Sequence, residues 1–114
     1  MDKFSALADP TRRLILEMLA RNGQLSATEI SDNFQVSPSA ISQHLKVLRE
    51  ANLVHMEKRA QQRLYRINPE TMGELEAWAK KLTQQWNERF EALDAVLEAE
   101  KKKILNERER TEDK

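Results

Sequence analysis

A mainly α fold with one small β-hairpin and a long final helix is the class this chain predicts, and three observations predict it. Apolar residues recur at three- and four-residue spacing through most of the chain, the period of helices packed along one face. Between Val54 and Ile67 the period falls to two around a polar stretch, Arg59-Ala60-Gln61-Gln62, which is the pattern of two strands and a tip. Just before it, Ser26 to Val54 spells two short helices joined by a tight turn, the second opening with small polar residues. Two such helices followed by a hairpin make a winged helix-turn-helix, here continued by a long C-terminal helix.

Each element has its own local cause. Phe4, Leu7 and Ala8 predict a short helix with one apolar face, stopped at Asp9-Pro10 because the residue before proline is biased away from the helical region. Asp9 then caps a second helix that begins at Pro10, where a missing N–H costs nothing. Leu14, Ile15, Met18 and Leu19 form its expected buried stripe, and Asn22-Gly23 ends it. Ser26-Ala27-Thr28-Glu29 is a capping box for a third helix, with Ile30, Phe34 and Val36 expected inward. Ser37 caps a fourth, begun by Pro38. At about 100° per residue, its Ile41, Leu45 and Leu48 fall within about 60° of one another and define a buried face. Ser39, Gln43, Lys46 and Glu50 lie opposite, with His44 at the edge of the stripe. After the hairpin, Asn68-Pro69 leads into one long helix whose Leu75, Trp78, Leu82, Trp86, Phe90, Leu93 and Leu97 step by three or four. Two parts are expected: a domain over residues 1–97 and a charged, fraying tail over 98–114.

A chain of 114 residues is enough for one modest core. It has no cysteine, which excludes disulfides, thiolate metal sites and cysteine nucleophiles. The start, Met1 to Arg13, has neither the apolar run nor the cleavage site of a secretory signal. No apolar stretch approaches the roughly 18 residues of a membrane span, so a cytoplasmic protein with no membrane association is expected. Net charge is zero, but its distribution is uneven: −1 over residues 1–34, +4 over 35–67 and −3 over 68–114. Positive potential is therefore concentrated on the fourth helix and the hairpin, where phosphates would be attracted.

That placement predicts a surface for double-stranded DNA. A helix fits the major groove, whose base edges distinguish all four pairs, and the first half of the second helix in such motifs makes the base contacts. Gln43 can pair bidentately with adenine, the Ala40 methyl can touch a thymine methyl, and Ser39 and Ser42 can bond bases or phosphates. Ser37, first of all a cap, heads a helix N-terminus that favours a phosphate. Lys46, Arg59 and Arg63 are expected on phosphates, Arg66 less so because its alternation differs. Other conspicuous side chains receive plainer readings. His44 is expected to pack rather than ligate, and His55 has no partner at zinc-ligand spacing. Arg12 and Arg13 are expected to pair with acidic side chains or the long helix rather than with phosphate. Trp78 and Trp86 are expected in a core or an interface. No nucleophile–base pair, phosphate-cradling glycine loop or carboxylate cleft is present, so no enzyme, catalytic residue, metal site or cofactor is predicted.

With those residues laid out, the chain resembles the ArsR/SmtB family of bacterial winged-helix repressors. The resemblance runs through Asp9-Pro10-Thr11-Arg12-Arg13, Leu25-Ser26-Ala27-Thr28-Glu29-Ile30, the run Ser37 to Arg49 with its Ser42-Gln43-His44-Leu45-Lys46-Val47-Leu48, and Ala51-Asn52-Leu53-Val54. Tyr65-Arg66-Ile67-Asn68 at the hairpin's end fits too, and Trp86 to Leu93 is similar to the tail of the metal-independent, autorepressor-like subgroup. The resemblance implies a homodimer on a palindromic operator, blocking transcription, with Phe4, Leu7, Trp78, Leu82, Trp86, Phe90 and Leu93 at the dimer interface. Two recognition helices about 34 Å apart would then enter successive major grooves. Two departures matter. The cysteine clusters or last-helix histidines of metal-sensing members are missing, since residues 69–114 contain no histidine. Ala60 also stands where a wing-tip glycine is usual. An unidentified small-molecule or protein effector is compatible with this reading. The alternative is a winged-helix interaction module that binds a partner protein through the aromatic stripe of the last helix.

Overall fold

The computed structural model describes residues 1–112. In chain order it contains α1 (Lys3–Ala6), α2 (Pro10–Asn22), β1 (Leu25–Ser26), α3 (Ala27–Ser31), α4 (Pro38–Glu50), β2 (Val54–Arg59), β3 (Gln62–Ile67) and α5 (Pro69–Glu112). The elements form two compact units, Met1–Leu75 and the remainder of α5 from Glu76 onward.

In the first unit the helix starts are the capped ones. The Asp2 carboxylate accepts from the Ser5 N–H at 2.9 Å, and the Asp9 carboxylate accepts from the Arg12 N–H at 3.1 Å. The Ser26 hydroxyl accepts from Glu29 N–H at 3.1 Å while the Glu29 carboxylate accepts from Ser26 N–H at 3.0 Å, a complete capping box. The Ser37 hydroxyl accepts from Ala40 N–H at 3.1 Å. Each such cap stabilises its helix by about 1 kcal/mol. Gly23, at φ 81, ends α2 in the left-handed region that glycine enters without strain.

The core is built from Ile15, Leu16 and Leu19 of α2, Ile30 of α3, the Ile41/Leu45/Leu48 face of α4, and Leu53, Val54 and Tyr65 around the sheet. The expected α4 face is therefore the buried one. Three other expectations need correction. In α2, Leu14 is exposed and Leu16 takes its place. Measured from the midpoint of Ile15 and Leu19, Leu16 lies about 80° away and Leu14 about 120°, beyond the edge of the buried arc. Val36 is exposed because α3 stops at Ser31, so a helical period no longer governs the bend that leads to Ser37. In α1, a single turn, Ala6 is the buried residue, Leu7 is half-buried, and Phe4 and Ala8 are exposed.

The hairpin pairs Val54 with Ile67, Met56 with Tyr65 and Arg59 with Gln62, leaving Ala60-Gln61 as its turn. Ala60 holds φ 57, a left-handed conformation that costs an alanine more than a glycine. A third strand, not expected, joins the far side. β1 pairs Leu25 with Tyr65 and Ser26 with Leu64, giving the order β1-β3-β2. Asn68, also unanticipated in its role, is buried just beyond the hairpin. Its amide donates to the Asn52 carbonyl at 2.9 Å and to the Thr71 hydroxyl at 3.2 Å, and its Oδ1 accepts from the Glu70 N–H at 3.1 Å. One side chain thus caps α5 and ties it to the loop after α4.

The second unit is a single helix. Residues 98–112, set apart in sequence as a charged tail, continue α5. Its large apolar side chains Trp78, Leu82, Trp86, Phe90, Leu93, Val96, Leu97, Ile104 and Leu105 are all exposed.

Candidate nucleic-acid interface

The exposed side of α4 follows from its buried side. Burying Ile41, Leu45 and Leu48 fixes the rotation of the helix, and the same rotation turns Ser39, Ser42, Gln43 and Lys46 outward, all exposed. Ala40 is half-buried, so only part of its methyl is presented. Ser37 is exposed, but its hydroxyl is committed to the Ala40 amide.

Packing of β3 beside α3 and of β2 beside α4 brings the hairpin into the same region. An open groove with a cavity volume of about 270 Å³ is lined by Thr28 and Ser31 of α3, Ser42 and Leu45 of α4, and Arg63 and Tyr65 of β3. Ser42 and Arg63, 21 positions apart in sequence, thus border one depression. Asp32 also lines it and is its one acidic wall.

The basic residues differ in availability. Among the described residues Lys46 and Arg63 form no ion pair, so their charges remain open to an anion. Arg59 lies beside Glu57, Nη2 to Oε1 3.5 Å, with both side chains largely exposed. A pair of that kind contributes little and exchanges readily with another anion.

Among the described residues, neither Arg12 nor Arg13 forms an ion pair with an acidic side chain. Arg12 Nε donates to the Ala6 carbonyl at 2.7 Å and Arg13 Nη1 to the Leu7 carbonyl at 2.6 Å, so both satisfy carbonyls at the end of α1. A four-residue helix leaves all its last carbonyls without intrahelical partners, and cations at that end answer the need. Arg12 Nη1 also meets His44 Nδ1 at 3.3 Å, and Asp9 Oδ2 lies 3.9 Å from that nitrogen. His44 is half-buried and packs, as expected, but against a polar cluster. Burial works against the charged form of Asp9. The Arg12 N–H, with the nearby His44 ring and the Arg12 charge, outweighs it and holds the carboxyl below its ordinary value. Nothing in sequence pointed to this cluster, because the residues that meet are 32 positions apart.

Among the described residues no group of three or more His, Cys, Asp or Glu side chains is placed to hold a metal. Among the same residues no helix is long and apolar enough to cross a membrane.

Comparison with known proteins agrees with this geometry. The family described as "Bacterial regulatory protein, arsR family" matches residues 9–56, from the α2 cap into the first strand of the hairpin. The transcriptional repressor SdpR of Bacillus subtilis is 33% identical over 75 residues, covering 66% of this chain and 82% of that protein. The HTH-type transcriptional regulator Rv2034 of Mycobacterium tuberculosis is 40% identical over 85 residues, 70% of this chain and 78% of its own. Among solved structures, an ArsR-like transcriptional regulator from Rhodococcus sp. RHA1 superposes with a TM-score of 0.70 at 29% identity, over 82% of this chain and 87% of that one. A capped recognition helix, a basic hairpin beside it and relatives of this kind lead to one conclusion: the chain belongs to the ArsR family of winged helix-turn-helix, DNA-binding transcriptional regulators.

Proposed function

We propose that this protein is a homodimeric repressor, with no catalytic role, that binds a palindromic operator in the cytoplasm. The observation that carries the proposal is the outward side of α4. Ser39, Ser42, Gln43 and Lys46 stand exposed on a helix locked by its core face, with the open cation Arg63 bordering the same groove. Gln43 reads adenine and the Ala40 methyl meets thymine, while Ser39 and Ser42 serve bases or phosphates. The Ser37 end of α4, Lys46, Arg59 and Arg63 hold the backbone.

The dimer is assigned to α1 and α5, through Phe4, Leu7, Trp78, Leu82, Trp86, Phe90 and Leu93. Phe4 and the five α5 side chains are exposed, and an amphipathic helix draws most of its stability from packing its apolar face. Two protomers present two recognition helices, which supports a two-fold symmetric site. The absence of cysteine from the chain and of histidine from residues 69–114 supports regulation that does not sense a metal through thiolate or last-helix histidine ligands.

The test is selection of duplexes from a randomised pool, followed by titration of the winner and of the DNA upstream of the protein's own gene. A repeated inverted motif bound at least about a thousandfold tighter than random DNA is the expected result. Enrichment of no motif overturns sequence-specific control. A stable monomer without DNA affinity in sedimentation favours a module that binds a partner protein through the α5 stripe.

A further inference from the structure

Arg12 joins three elements, its own α2 and the two it reaches, α1 and α4. From α2 its guanidinium takes the Ala6 carbonyl at 2.7 Å and the Ser5 carbonyl at 3.4 Å, both in α1. Its Nη1 then meets Nδ1 of His44 on α4 at 3.3 Å. His44 is the immediate neighbour of Gln43, so the contact holds α4 midway along its reading face. An arginine has only donors, so Nδ1 must accept. That requires a neutral ring with its proton on Nε2.

A proton on Nδ1 reverses the contact. Two cations then face each other at the distance that held a hydrogen bond, while Asp9 Oδ2, 3.9 Å away, becomes the better partner. Arg12 and Asp9, both from the start of α2, are the charged groups against the ring. Among the described residues no ion pair reaches it from α1, α3 or the hairpin.

We propose that Arg12 and His44 are positioning residues for DNA reading: their hydrogen bond fixes how α4 sits against α1, and protonation of His44 releases it. The inference rests on the assignment of α4 to DNA. It adds a proton-sensitive joint between the first helix and the recognition helix, carried by residues that touch no base.

The test uses the full-length protein, a duplex it has selected from a randomised pool, and a random duplex of equal length. His44→Asn places an amide oxygen where Nδ1 stands, so it accepts from Arg12 but cannot titrate. His44→Leu fills the space and accepts nothing. At about pH 8, His44→Asn should bind the selected duplex like wild type, whereas His44→Leu should bind it about tenfold more weakly with the random duplex unaffected. Combining His44→Leu with Arg12→Gln should be no worse than Arg12→Gln alone. As pH falls from about 8 to about 5.5, wild type should lose preference for the selected duplex and His44→Asn should keep it.

Wild-type binding by His44→Leu at the higher pH, multiplying losses in the double variant, or identical pH profiles for wild type and His44→Asn each overturn the proposal. Should His44→Leu fail to fold, the two pH profiles decide alone. If wild type selects no duplex, the DNA-reading assignment itself falls. A selected duplex with flat wild-type preference defeats only the joint.

Discussion

The two units of the molecule carry the same hydrophobic period and put it to opposite use. In Met1–Leu75, leucines and isoleucines spaced by three or four are nearly all hidden, Ile15, Ile30 and Leu48 completely. Beyond Glu76, side chains at the same spacing stand between 47% and 64% exposed, tryptophans and a phenylalanine among them. Covering one such side chain is worth about 1.5–3 kcal/mol, so the stripe on α5 is a large unspent driving force within a single chain. Periodicity identifies a helix with a face; it does not say whether the face meets the same chain or another.

The contrast can be broken first where it is strongest. Leu45→Ala should lower the unfolding free energy by about 2–5 kcal/mol in denaturant titration, since a fully packed methyl branch leaves a cavity in the first unit. Trp86→Ala should leave the first unit's fold intact and instead weaken self-association by about 2–4 kcal/mol in sedimentation equilibrium. If it destabilises monomeric protein as much as Leu45→Ala does, the difference between the two faces is false. Within the first unit, Gln43→Ala should cost about 1–3 kcal/mol on a selected duplex and little on random DNA, while Lys46→Ala weakens both alike.

Asp9 gives a smaller, pH-dependent effect. Its carboxyl titrates below the ordinary 3.8 in the folded chain, so its contribution is present above that value and disappears as pH falls through the lower folded one. The melting temperature of Asp9→Ala should therefore trail wild type, by a loss of about 1 kcal/mol, near neutral pH and converge with it in acid. Smallest is Ala60→Gly. Relieving a left-handed alanine at the wing tip should stabilise by about 0.5–1 kcal/mol in thermal melts, and no gain there argues against the turn described.

Sequence revealed most where one residue type has one local meaning. Asp9-Pro10, the Ser26/Glu29 box and Ser37-Pro38 announced three helix starts through caps that depend on neighbours alone. The buried face of α4 was equally readable, because thirteen residues allow a period to show. What sequence left dark was either too short or too distant. β1 is two residues long and cannot display an alternation. The Arg12–His44 contact and the Asn68 ties join segments that only the fold brings together. Leu14 and Leu16 flank one stripe on opposite sides, and only the packing of Ile15 and Leu19 sets its centre and so excludes Leu14.

Asn68 has a practical meaning for anyone recombining members of this family. A chimera joined between the wing and the last helix would cut through a seam where one carboxamide serves two masters, the loop leaving α4 and the first turn of α5. Transplanting a foreign terminal helix without its asparagine, and without the Thr71 hydroxyl and Asn52 carbonyl it engages, should deliver a hybrid whose new helix starts uncapped and frays at its first turn.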